Sequence, residues 1–371
     1  MAPEPMHGEA DKSGFPHEGK DDDTGVRPTQ GAPIPSPSGL AEKAGVPVSL
    51  ETNSQSRPAT VLDRNGIREK FKTIQDLITT PMPYMPAVFH SGYVNATKRT
   101  TQFEKEVLLS ADSLKRIVHL PTMLTDLDAA GKRLASSYTL DWDDPEHILL
   151  AASCMPDNHP GSLPRTIWIE GDVVTWCDAT ILRPATGALR ACKRADGRLV
   201  NTLPYEHPSL SSSPSGKAIP DRILVQATKI YSEPGKADKS MPVATATIEI
   251  KTPNVLSVDL LFGDRFQPDG SQEPYVTQYE LVESDIASRI LMQLQSQMVF
   301  KKVFVAVLSS HDTTIIFRRY PSEPDTLYMS SPCRSSEWKH VHPTFAAFCS
   351  FALADGLIDL STLGGGNALE G

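Results

Sequence analysis

The feature that most restricts the fold is a continuous apolar run, Val303-Phe304-Val305-Ala306-Val307-Leu308. Side chains of a strand alternate between its two faces, so a strand that is apolar at every position needs cover on both. Such a strand belongs inside a sheet with helices above and below it. The neighbouring sequence supplies the parts. Residues 314–318 read as a further strand. A helix is expected from about 275 to 300, with Ile286, Ile290, Leu294 and Met298 along one face. Upstream, strand candidates at 220–231 and 243–253 are joined by a turn-like stretch, 233–242. With 39% apolar residues over 371 positions, the chain has enough apolar surface for such a core. The expected fold class is α/β (α+β).

Residues 1–58 are expected to form a disordered arm. The first fifty hold eight prolines, seven glycines, one aromatic (Phe15), and eight acidic residues against four basic ones. So little apolar surface does not offset ordering entropy. Residues 59–160 are expected to be a helical section. Ile67, Phe71, Ile74, Leu77 and Ile78 form a stripe over 67–78; Phe103, Val107, Leu114 and Val118 do so over 101–119; a shorter helix covers 145–154. Prolines 81, 83 and 86 close the first and Pro121 the second. The core is expected over 161–350, followed by a tail, 351–371. Within the core, 171–182 reads as a helix with Val174, Cys177 and Ile181 facing inward, in line with Glu170.

Chemistry concentrates on the strand at 243–253. Alternation puts Glu249 and Lys251 on one face and Ile248 and Ile250 on the other, an apolar pair buried behind an exposed Glu-x-Lys. A carboxylate so placed takes a divalent cation, and an ammonium two residues on polarises a water or steadies a pentacovalent phosphate. If the two strands pair as a hairpin, Asp221 comes near Glu249 and completes a two-carboxylate site for Mg²⁺ or Mn²⁺. The distance between Asp221 and Glu249 in the chain requires 233–242 to bulge as a loop. Plainer uses stand beside these. Glu249 and Lys251 suit a cross-strand ion pair on a solvated face. Pro220-Asp221 suits a turn, and Glu170 a helix dipole. Arg183, Arg190, Lys193 and Arg194 are candidates to hold phosphates of a nucleic acid, or to decorate a surface loop. Gln293 and Gln297 are candidates to face a phosphate backbone, or to be solvated. Cys333, His340, His342 and Cys349 have ligand-type side chains, with His340 and His342 on one strand face, but their spacing fits no common zinc pattern.

Pro220-Asp221, a hairpin and then Glu249-Ile250-Lys251 resemble the PD-(D/E)XK signature of restriction-endonuclease-like phosphodiesterases. The resemblance covers about 165 to 320. It implies a mixed central sheet flanked by helices and metal-dependent cleavage of a nucleic-acid phosphodiester. It also implies Mg²⁺ or Mn²⁺ on Asp221, Glu249 and the Ile250 carbonyl, with Lys251 orienting the attacking water. The family often adds a glutamate from a preceding helix; Glu170 is the candidate, with Glu104, Glu106 and Glu146 as competitors. The chain is also similar to nuclease-like segments that precede the kinase domain in fungal-type protein kinases. It has no Gly-rich phosphate loop, H-R-D or D-F-G of its own, so kinase activity is not implied.

The net charge of −9 argues against a protein that coats nucleic acid non-specifically, while leaving room for a local basic groove. Five cysteines without a C-x-x-C pair fit a reducing compartment, so an intracellular place is expected. No apolar run approaches the roughly 18 residues of a membrane span, and no secretory leader is visible. A different class of function competes with the nuclease: a non-catalytic binding or regulatory module that keeps the fold without using the cation site.

Overall fold

The computed structural model describes residues 66–87, 102–110, 112–155, 163–195, 208–213, 219–231, 239–267, 270–282, 284–334 and 342–359. All of them fall in one compact unit, Ser56–Gly371; the expected arm, 1–58, lies outside the described residues.

Two short helices, α1 (Ile67–Lys70) and α2 (Ile74–Ile78), replace the single helix expected over 67–78. Thr73 makes the break. Its Oγ1 accepts from the Asp76 amide at 3.2 Å, while Asp76 Oδ2 accepts from the Thr73 amide at 2.8 Å, a reciprocal cap that starts a new helix. The helix expected over 101–119 also divides. After α3 (Gln102–Leu108), the Ser110 hydroxyl donates to the Val107 carbonyl and accepts from the Asp112 amide. Arg116–Leu120 is then a strand, β1, hydrogen-bonded to strands on both sides. Sheet pairing outweighs the helical spacing of Leu114 and Val118. Helices α4 (Met123–Ser136) and α5 (Pro145–Cys154) follow, the latter over the expected residues and capped by Asp144, which accepts from the Glu146 amide. The stretch 59–160 is thus not a purely helical section, because it contributes a strand to the sheet.

Helix α6 (Glu170–Cys177), a π-turn over Asp178–Leu182 and helix α7 (Arg183–Ala195) run on without interruption, so the basic stretch is helical rather than a loop. Next come β2 (Ser209–Ser211), β3 (Arg222–Tyr231) and β4 (Lys239–Ile250). Strands β3 and β4 form a long hairpin, registered from Arg222↔Ile248 to Tyr231↔Lys239. The expected bulging loop at 233–242 is corrected at its end, since 239–242 are strand. Residues 233–238 of the expected loop lie outside the described residues.

Helix α8 (Val258–Phe262) leads to β5 (Tyr275–Gln278) and α9 (Ile286–Lys301). The helix expected from 275 therefore starts only at Ile286, where Asp285 caps it by accepting from the Ala287 and Ser288 amides. The chain continues through β6 (Val305–Ser309), β7 (Thr313–Tyr320), β8 (Glu323–Ser330), β9 (Cys333–Arg334) and α10 (Pro343–Ala354). Helix α10 crosses the expected tail boundary at 351, and Phe351 is fully buried.

The nine described strands form one mixed sheet, in the order β2-β3-β4-β6-β7-β8-β1-β5, with β9 against β7. The β4–β6 and β1–β8 pairs are parallel and the others antiparallel. Strand β6 lies inside the sheet, as its composition demands. Val305 and Val307 join a core with residues of α4, α5, α7 and α10, whereas Ala306 and Leu308 join a second core built largely on α9. Phe304, just ahead of the strand, is 44% exposed. Helices cover both faces of the sheet. No helix among the described residues is long and apolar enough to cross a membrane.

Candidate metal centre

The end of β4 is where the layers meet. Its alternation places Ile248 and Ile250 in the α7/α10 core and turns Glu249 towards α9. The expected solvated Glu-x-Lys is corrected here: Glu249 is 2% and Lys251 6% exposed. The sequence pattern was right about which residues share a face, but α9 covers that face.

Asp221 immediately precedes β3, which runs antiparallel to β4, so the hairpin register returns it to the end of β4. Its Oδ2 accepts from the Ile250 amide at 2.7 Å. The Ile250 amide thus takes part in the site by holding the Asp221 carboxylate. Behind Asp221, Arg222 grips Asp178 of the π-turn, with Nε 3.1 and 3.0 Å from the two carboxylate oxygens and Nη2 2.6 Å from one of them. This ties the start of β3 to the helical run that carries Glu170.

Glu170 is the first residue of α6. Asp172 fixes that helix start by accepting from the Trp168 and Ile169 amides at 2.8 and 3.1 Å. Glu170, Asp221 and Glu249 each present a carboxylate oxygen, and these three atoms lie within 4.8 Å of one another. Among the described residues, this is the only group of three or more His, Cys, Asp or Glu side chains so converged. Lys251 Nζ donates to Glu170 Oε1 at 3.2 Å and, at close range, to Glu249 Oε1. Its backbone amide is held by the Ser309 carbonyl at the end of β6. The competing glutamates lie elsewhere: Glu146 pairs with Arg190, and Glu104 is buried near Tyr279.

Three carboxylates against one ammonium leave the cluster with surplus negative charge, and protonation responds to it. Burial, and then the charge of Glu249, push Asp221 up to about 6. Burial also raises Glu170, and Asp221 adds to that, against the opposing pull of Lys251. For Lys251, burial works against the ammonium, but Glu249, Glu170 and Asp221 together outweigh it and raise its pKa. A hard divalent cation, which takes oxygen ligands, suits three converging carboxylates of this kind.

The residues considered for nucleic-acid contact are placed differently from each other. Arg190 pairs with Glu146, Lys193 with Asp355 at 2.8 Å, and Arg194 with Asp144 at 3.4 Å, so these three brace α7 against its neighbours; Arg183 is exposed. Gln293 and Gln297 do not form a solvated face. Gln293 Nε2 donates to Glu249 Oε1 at 2.8 Å and Gln297 Nε2 to Glu249 Oε2 at 2.7 Å. Their spacing of one helical turn was the available signal, but nothing local said that α9 would lie over β4. His342, expected on a strand face, precedes α10, and burial lowers its pKa to about 4. His340 lies outside the described residues.

No family model, curated protein or solved structure matches this chain.

Proposed function

We propose that the chain is a metal-dependent phosphodiesterase of restriction-endonuclease-like build, acting on nucleic acid. The observation that carries this is the convergence of the Glu170, Asp221 and Glu249 carboxylates within 4.8 Å beside Lys251. A mixed sheet flanked by helices, with α9 leading into β6 and β6 pairing parallel to β4, supports the same reading. Mg²⁺ or Mn²⁺ would be held by the three carboxylates and would supply charge stabilisation of the phosphate and an activated water. The chain's own residues divide the remaining work. The Ile250 amide and the Arg222–Asp178 pair keep Asp221 at the mouth of the hairpin. Lys251 brings the one positive charge of the cluster to where negative charge develops in the transition state.

Glu249→Gln keeps the shape and removes a charge from the cation, so Mn²⁺ affinity should fall steeply. Lys251→Ala keeps all three carboxylates, so with the divalent ion at saturation its loss should appear in cleavage rate rather than in ion affinity. The test is Mn²⁺ and Mg²⁺ titration together with cleavage of labelled single- and double-stranded DNA and RNA. An unmodified protein that binds neither ion and cuts none of the four substrates refutes the enzyme. Ion binding without cleavage favours the alternative, a nuclease-like binding or regulatory module.

A further inference from the structure

We infer that Gln293 and Gln297 are positioning residues that hold the Glu249 carboxylate in one orientation, leaving a single acceptor position for a cation. The inference rests on the cation-site reading and adds to it. Oε1 of Glu249 accepts from Lys251 and Gln293, and Oε2 from Gln297. A carboxylate has about four lone-pair positions, so three are occupied and the one left lies on Oε2. Glu249 thereby becomes a one-oxygen ligand whose rotation is locked from two successive turns of α9.

The chemical nature of the donors matters. Arginine or lysine at either position would neutralise the charge that attracts a cation, whereas an amide fixes the carboxylate and leaves the charge intact. Gln297 is 1% exposed, and its Oε1 finds no hydrogen-bond partner among the described residues. Gln295 on the same helix is equally buried, and its Oε1 likewise finds no hydrogen-bond partner among the described residues, but it donates to the Asp112 and Pro324 carbonyls at 2.9 Å each; what sets Gln293 and Gln297 apart is that their acceptor is the Glu249 carboxylate.

The experiment uses full-length protein with Gln293→Met and Gln297→Met, substitutions of similar volume that suit a helix. Free Mn²⁺ is followed by electron spin resonance, folding by thermal melting, and the glutamine side-chain amides by NMR after selective ¹⁵N labelling. Each variant is expected to weaken Mn²⁺ binding by about 10- to 100-fold, the usual effect of removing a partner that orients a metal ligand. A purely structural glutamine would instead alter melting and leave affinity unchanged. If the unmodified protein binds Mn²⁺ and both variants bind it equally well, the positioning role is overturned while the cation site stands. If the unmodified protein binds no Mn²⁺, the cation-site reading fails, and the amide signals decide the rest. Upfield movement of both Gln293 and Gln297 signals in Glu249→Gln, as a charged acceptor becomes neutral, supports the hold on Glu249; unmoved signals refute it.

Discussion

Replacing Lys251 with methionine tests the electrostatics of the cluster most directly. The side chain is nearly isosteric, so packing changes little, but the only ammonium among three converged carboxylates is lost. Two unit charges 4.8 Å apart interact by about 3 kcal/mol at an effective dielectric near 20. Removing one partner of a buried pair costs about 3–5 kcal/mol. The Glu249 contact dominates this, since its side chain is 2% exposed; Glu170, 36% exposed, is screened by water and counts for less. For a unit of this size, about 2 °C in melting temperature per kcal/mol gives a drop of roughly 6–10 °C at pH 8. The pH dependence has a definite sign. Asp221 and Glu170 have raised pKa values, so the folded state holds protons that the unfolded state has released, and stability falls as pH rises through the folded values. Lys251 is one of the charges that hold Asp221 down, so without it Asp221 takes up its proton more readily, and the variant should recover stability between pH 8 and pH 5. A divalent ion should restore it too, by about 2.7 kcal/mol at a hundred times its dissociation constant. The assay is thermal melting at pH 8 and pH 5, with and without Mn²⁺. A variant that melts within 2 °C (about 1 kcal/mol) of the unmodified protein at pH 8 without metal shows that the carboxylates do not face one another uncompensated. A destabilised variant that Mn²⁺ fails to restore shows that the cluster is not a cation site.

Gly131 on α4 sits against α10, and a β-carbon there would lie 2.2 Å from Cys349 Sγ and 3.2 Å from the Phe345 ring, so Gly131→Ala should lower stability by about 1–3 kcal/mol in a denaturant melt, and by nothing if the helices can part freely. His342 is held neutral by burial with a pKa of about 4, so the unfolded chain binds its proton first on acidification. Stability from this group is full above pH 6.5 and lost as pH falls towards 4, about 3 kcal/mol in all; a melting profile for His342→Leu that is as steep over this window as the unmodified one would contradict it. Phe317, fully buried in the α9 core, should cost about 3–5 kcal/mol on truncation to alanine, measured by urea unfolding.

Much of the architecture follows from local pattern. The run at 303–308 demands a covered strand and becomes β6, inside the sheet. The alternation at 248–251 correctly sorts two isoleucines to one core and Glu249 to the other face. The stripe Ile286, Ile290, Leu294 and Met298 places the apolar side of α9. These succeed because period and face are properties of neighbouring residues, set by the geometry of helix and strand. The helical spacing at 101–119 fails for the complementary reason. Arg116–Leu120 becomes a strand through partners at 275–278 and 326–330, and no local period records them.

The same division runs through the candidate site. The sequence by itself determined its chemistry: three carboxylates and an amine, with Asp221 and Glu249 at ends of strands that a hairpin can bring together. Tertiary structure decided what those groups experience. Lys251 meets Glu170 from 81 residues away, and Glu249 meets Gln297 from 48. Helix α9 turns an expected solvated pair into a buried one. Desolvation, and with it the raised pKa of Asp221, depends on every element that excludes water from a point, so it exists only once the layers have closed around that point.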